Sequence, residues 1–161
     1  MNAFIRDRAG DYQPAAPEQI ITMARQIIAD RLQRYANVVA TSPADVKRYL
    51  QLQLADKERE IFAAMFLDTR HRLISFEMLF FGTIDGASIH PREVVKAALK
   101  CNAAAVIFSH NHPSGVAEPS QADIQITKKL KDALALVDVR VLDHIVVAAD
   151  ECVSLAQQGV L

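Results

Sequence analysis

Seven consecutive apolar residues, Ile61 to Leu67 (IFAAMFL), stand between Glu60 and Asp68. A run this short, rich in Phe and without one polar position reads as a β-strand buried on both faces. Such a strand belongs inside a sheet, with other elements covering it above and below. The downstream sequence supplies them. The polar segment Asp68-Thr69-Arg70-His71-Arg72 turns the chain into a second strand, Leu73 to Phe81, so the two read as a hairpin. After Gly82 and Gly86, His90-Pro91-Arg92-Glu93 opens a helix carrying Val94, Val95, Ala98 and Leu99. Ala103 to Phe108 (AAAVIF) is a third buried strand, running into Ser109-His110-Asn111-His112-Pro113-Ser114-Gly115. A helix from Ser120 lines up Ile126, Leu130, Leu134 and Val137; Val139 to Val147 is a fourth strand and Cys152 to Leu155 a short last one. This alternation predicts an α/β domain, a mixed β-sheet with helices on both faces.

Upstream the texture differs. Residues 1–16 carry Gly10, Pro14 and several charges without periodicity and read as a loose arm. Pro17 fits the first turn of a helix in which Ile20, Ala24, Ile27, Ile28 and Leu32 recur. Ser42-Pro43-Ala44-Asp45 is a second start signal, a Ser cap with an acid three residues on, followed by Val46, Tyr49 and Leu50. The chain therefore divides into an arm and helix at 1–40 and a main domain at 41–161.

Its 161 residues suit one compact domain able to bury roughly 70% of its unfolded surface. Eighteen Lys and Arg against nineteen Asp and Glu leave no general excess of positive charge, which removes the simplest case for a nucleic-acid binder. Cys101 and Cys152 form no CxxC, which argues against a disulfide scaffold or a cysteine zinc cluster. Arg6, Asp7 and Arg8 fall where a signal peptide needs apolar residues, and no run approaches the roughly 18 that a membrane span requires. A cytoplasmic, soluble domain is expected.

The chemistry gathers around His110 and His112. Residues two apart share a face in a strand but diverge by about 200° in a helix. A strand ending in His-x-His therefore delivers two imidazoles to one point at the sheet edge, where Pro113 and Gly115 bend the chain back. Paired imidazoles suit zinc, which takes His nitrogen at about 2.0–2.1 Å. Asp123 lies on the stripe of Ile126, Thr127, Leu130 and Leu134, so it points toward the sheet. An inward carboxylate is costly unless a cation or several donors satisfy it. Ser120 stands one turn earlier, beside the same point. Ser120-x-x-Asp123 is also a capping-box pattern, which by itself only starts a helix.

These residues carry a resemblance. His110-x-His112, Ser120 and Asp123 in this spacing resemble the JAMM motif of MPN-plus metallopeptidases and deubiquitinases. SHNHPSG, PSQAD, GTIDGASIHPREVV and VRVLDHIVV are similar, more narrowly, to the RadC family, over about residues 41–161. The resemblance implies a cytidine-deaminase-like three-layer fold of the JAB/MPN type, with Zn²⁺ held by His110, His112, Asp123 and a water. It also implies that Ser120 helps bind the oxyanion of a tetrahedral intermediate, and that a Glu entering an upstream strand acts as general base. Glu60 fits, as it directly precedes IFAAMFL; Glu58, two residues earlier, shares its face if the strand begins sooner. A solvated charge in the run Asp56-Lys57-Glu58-Arg59-Glu60 is the plainer reading of Glu60. Glu93 reads as a helix-dipole residue, His90 as the start of its helix, His71 as part of a turn. His144 reads as hydrogen-bonded to Asp143, or alternatively as support behind the metal ligands.

Three functions follow. The first is a zinc-dependent hydrolase of a peptide, isopeptide or related amide bond, with a protein or peptide substrate. The second is a DNA repair or recombination factor, the role that gave the RadC family its name. Longer members carry a helix-hairpin-helix-like region suited to DNA, whereas residues 1–40 here hold only Gly10 and no paired-glycine hairpin. The third is a non-catalytic interaction module, against which the intact ligand set counts. A zinc nucleoside deaminase would need His-x-Glu with Pro-Cys-x-x-Cys, and neither is present.

Overall fold

The computed structural model describes residues 4–6, 10–34, 42–82 and 88–161. The 40/41 boundary, Gly86 and the side chain of Leu32 lie outside the described residues. Strands β1 (Phe4–Arg6) and β2 (Tyr12–Pro14) precede helices α1 (Pro17–Arg34) and α2 (Pro43–Leu54). Then come β3 (Ile61–Leu67), β4 (Leu73–Phe81), α3 (Pro91–Lys100), β5 (Ala105–Asn111), α4 (Gln121–Ala135), β6 (Arg140–Val147) and β7 (Cys152–Ser154). The main sheet has the order β4-β3-β5-β6-β7. β3 runs antiparallel to both β4 and β5, β5 and β6 are parallel, and β7 turns back antiparallel on β6. A parallel pair needs a long crossover, and α4 provides it.

Every residue of β3 is buried, because its two faces feed different cores. Ile61, Ala63, Met65 and Leu67 pack with Val46, Tyr49, Leu50 and Leu54 of α2. Phe62, Ala64 and Phe66 pack with Val94 and Ala98 of α3 and with Leu130 and Leu134 of α4. The result is three layers: α2, the sheet, then α3 with α4. Each large side chain so buried contributes about 1.5–3 kcal/mol relative to exposure. Among the described residues no helix is long and apolar enough to cross a membrane.

Four expectations need correction. The arm is not wholly loose, because Phe4–Arg6 and Tyr12–Pro14 pair antiparallel. Ser42 precedes its helix as expected, yet its side chain makes no cap; its carbonyl takes the N–H groups of Asp45 and Val46. The stripe on α1 is mostly not core: Ile20 and Ile27 are exposed, as is Met23, while Ile28 packs inward. The third strand is shifted. Ala103 lies in the turn that closes α3, where its N–H reaches Ala98 O at 3.0 Å beyond the left-handed Asn102. At the other end β6 stays alongside, pairing His110 with Val146 and Asn111 with Val147, so the strand continues through the first histidine.

Candidate metal centre

Alternation along β5 decides which way the motif faces. Val106 and Phe108 point to the α3–α4 side, so His110, two residues on, does too. His112 follows β5 directly, its N–H still bonded to Val147 O at 2.9 Å. The chain then turns through Pro113 and Ser114, with Gly115 at φ +83° and its N–H on His112 O at 3.0 Å. That turn returns the carbonyl of Val116 to His112 Nδ1 at 2.7 Å. From the other side, the first turn of α4 brings Asp123.

The three side chains meet. His110 Nε2 and His112 Nε2 are 2.9 Å apart. Asp123 Oδ1 is 3.3 Å from His110 Nε2, and Oδ2 is 3.8 Å from His112 Nε2. His110 is 1% exposed, whereas His112 and Asp123 keep 19% and 15%, so the cluster is closed beneath and open on one side. Among the described residues these three form a group able to hold a metal ion, with ligand atoms all within 4.8 Å.

The outer atoms of each group are already committed. Val116 O can only accept, so His112 Nδ1 carries a proton and the ring turns its Nε2 into the cluster. His110 Nδ1 meets His144 Nε2 at 2.8 Å, leaving its Nε2 for the cluster. Ser120 donates both its N–H (2.7 Å) and its hydroxyl (2.6 Å) to Asp123 Oδ2, and its oxygen accepts from Asp123 N at 3.1 Å. The capping box is thus complete in both directions, and it also aims Oδ1 inward. Burial pushes the Asp123 carboxyl up, and the two Ser120 donors pull it back down toward the ionised form. Asp123 is therefore ionised at neutral pH. Two imidazole nitrogens this close to each other and to an ionised carboxylate call for a positive centre among them, a shared proton or a metal ion. The donor set, nitrogen, nitrogen and oxygen, fits a divalent ion.

The other candidates fall elsewhere. β3 and β5 pair Phe62 with His110, so continuing the register sets Glu60 across from His112 and on the same face as Phe62. It is half-buried and its carbonyl receives Gly82 N–H at 2.9 Å; its carboxylate is not among the three converging groups. Glu58 is exposed in the bend before the strand. Glu93 is exposed on α3 and paired with Lys96 at 2.8 Å. His90 precedes α3 without a side-chain cap, and His71 sits in the β3–β4 turn with φ +59°.

His144 departs from the first of its two readings. Asp143 accepts its backbone N–H at 2.7 Å, not its ring; the ring goes to His110 and to Thr127 Oγ, the latter at 2.5 Å. Burial, then the neighbouring His110, pushes His144 well below the ordinary imidazole range, so it is neutral.

Two residues near the site escaped sequence reasoning. Thr127 lies one turn after Asp123 on the same face, which was a usable signal. Asn111, between the histidines, faces the opposite way; its Oδ1 accepts Ile61 N–H at 2.9 Å, while Nδ2 donates to Arg59 O at 3.0 Å and Lys57 O at 3.3 Å. It fastens the segment bearing Glu60 to the strand bearing the histidines.

The profile of the RadC-like JAB domain matches residues 40–160. The chain is similar to the UPF0758 protein of Methylibium petroleiphilum, 60% identical over 142 residues, or 88% of this chain and 63% of that one. It is likewise similar to that of Thioalkalivibrio sulfidiphilus, 55% identical over 152 residues, covering 94% and 67%. A third, from Stutzerimonas stutzeri, is 55% identical over 142 residues, covering 88% and 62%. The chain thus spans about two thirds of the length of these relatives. With three quarters of its residues inside the matched domain, the chain belongs to the family of RadC-like JAB domain proteins.

Proposed function

We propose that this domain is a zinc-dependent hydrolase of the JAMM metallopeptidase type, acting on a peptide, isopeptide or related amide bond. The observation that supports it best is the convergence of His110 Nε2, His112 Nε2 and the Asp123 carboxylate, with every outer atom already tied to an acceptor or donor. These three residues would hold the ion. When bound, zinc lowers the pKa of water to about 7 and polarises a carbonyl.

The remaining work falls to the chain itself. Glu60, at the mouth of β3 across from His112, would take a proton from the attacking water and return it to the leaving amine. Its backbone is held on both sides, by Gly82 N–H on its own carbonyl and by Asn111 on the next residue. Ser120 orients Asp123; to steady an oxyanion its hydroxyl would have to turn from Oδ2 toward the substrate. The buried side of His110, against the ring of Phe62, keeps water from the rear of the cluster.

Elemental analysis of untagged protein tests the reading, with an amide-substrate screen beside it. One zinc per chain is expected in the wild type and its loss in His112→Ala. Glu60→Gln should bind zinc yet lose about 10²–10⁴-fold in kcat. A wild-type protein without zinc, or Glu60→Gln turning over like wild type, overturns it.

A further inference from the structure

A line of hydrogen bonds leads away from the metal ligands and returns to the backbone of one of them. Thr127 Oγ lies 2.5 Å from the carbonyl oxygen of Asp123 and 2.5 Å from His144 Nδ1. A carbonyl has no proton to give, so the hydroxyl hydrogen goes to it. Toward His144 the same oxygen can then only accept, and Nδ1 must carry a proton. His144 is fully buried between Phe62 and Phe108, whose rings stand edge-on to it at 5.4 and 6.1 Å. A second proton would place a charge in that apolar slot beside two other imidazoles, which burial disfavours. Nε2 of His144 is therefore bare, and across 2.8 Å His110 Nδ1 must donate to it. Each of these contacts then holds one hydrogen, and the last nitrogen in the series, His110 Nε2, is left with a lone pair aimed at His112 and Asp123.

We propose that Thr127 and His144 are positioning residues, a buried relay that locks His110 in its Nδ1–H tautomer and so sets the metal affinity of the site. The proposal rests on the metal-site reading above and adds what maintains it. The sequence order makes the relay compact. Thr127 is four residues after Asp123, where a Thr hydroxyl reaches back to the i−4 carbonyl. His144 sits opposite Phe108 in the parallel β5–β6 ladder, two pairs before His110 and so on the same face of the sheet. Anchoring Thr127 on the carbonyl of Asp123 also links the two ligand-bearing elements: α4 and β5 are joined through the ring of a residue on β6.

The experiment is zinc affinity of the full chain, measured by competition with a chromophoric chelator, for wild type, Thr127→Val and Thr127→Ser. Valine keeps the shape but removes the acceptor, stranding His144 N–H; when that proton moves to Nε2, His110 is driven toward the tautomer whose Nε2 is blocked. Thr127→Val should bind zinc about 10–100-fold more weakly, and Thr127→Ser, which restores the oxygen, should match wild type. His144→Leu should fall with Thr127→Val. As a check that survives a folding failure in any variant, ¹⁵N NMR of the imidazole nitrogens in the metal-free wild type should show His144 and His110 each protonated at Nδ1. Equal affinity of Thr127→Val and wild type, or His144 protonated at Nε2, overturns the relay. Wild type binding zinc no better than His112→Ala overturns instead the metal-site reading itself, so the two failures are distinct.

Discussion

Asn111 shows how much one side chain settles when its neighbours carry the chemistry. It is buried at the end of β5 and satisfies three backbone groups at the entrance to β3. A buried donor or acceptor left without a partner costs about 1–3 kcal/mol, and water can reach some of these from the bend at Glu58 and Arg59. Asn111→Ala should therefore lose about 2–3 kcal/mol in urea unfolding while leaving zinc affinity nearly intact, because its side chain faces away from His110, His112 and Asp123. A loss under about 0.5 kcal/mol would show that the Lys57–Ile61 segment is held by something else. The pairing of His110 with His112 was readable from period-two alternation, and the same alternation sends Asn111 to the opposite face. What it reaches there was not readable, since Lys57 and Arg59 are more than fifty residues away and offer only their carbonyls.

At the scale of elements, the turn after β5 matters as much as the strand. Gly115 takes a positive φ in open space, so a Cβ there would meet no atom and only the backbone conformation resists it. That conformation costs an L-residue about 1–2 kcal/mol. Gly115→Ala should be destabilised by about this much and should weaken zinc binding as well, because the turn delivers the Val116 carbonyl that orients His112. Gly115→Asn, which tolerates the left-handed region, should recover most of both. Urea unfolding and chelator competition check the pair, and an unperturbed Gly115→Ala would refute the role given to the turn. The elements themselves were largely legible: β3, β4, α3, α4 and β7 fall close to where periodicity places them. β5 was not, because its end is set by how far β6 runs beside it. The α1 stripe misled for a related reason. Helical spacing of Ile20, Ala24 and Ile27 shows an amphipathic face, but not that another element lies against it.

For the whole molecule, the three layers are built from α2 onward. Among the described residues, Ile28 ties α1 to the α2-side core, and Arg25 donates to Leu52 O at 2.8 Å and pairs with Asp56 at 3.3 Å. A half-exposed ion pair of this kind contributes about 0–1 kcal/mol. A fragment of residues 42–161 should therefore unfold cooperatively and bind zinc within about threefold of the full chain. Loss of the cooperative transition would mean that α1 belongs to the folding unit.

The sequence by itself determined the layered α/β architecture and the metal-ligand candidates, because both depend on short-range periodicity: two residues per repeat along β5, and one turn between Ser120 and Asp123. Only the tertiary structure decided how those ligands are supported. Asn111, Thr127 and His144 act through groups that are distant in the chain, and hydrogen-bond roles among buried imidazoles follow from which acceptor lies at each nitrogen. Local pattern can place a histidine at a sheet edge. Which of its nitrogens keeps the proton depends on packing across β5, β6 and α4.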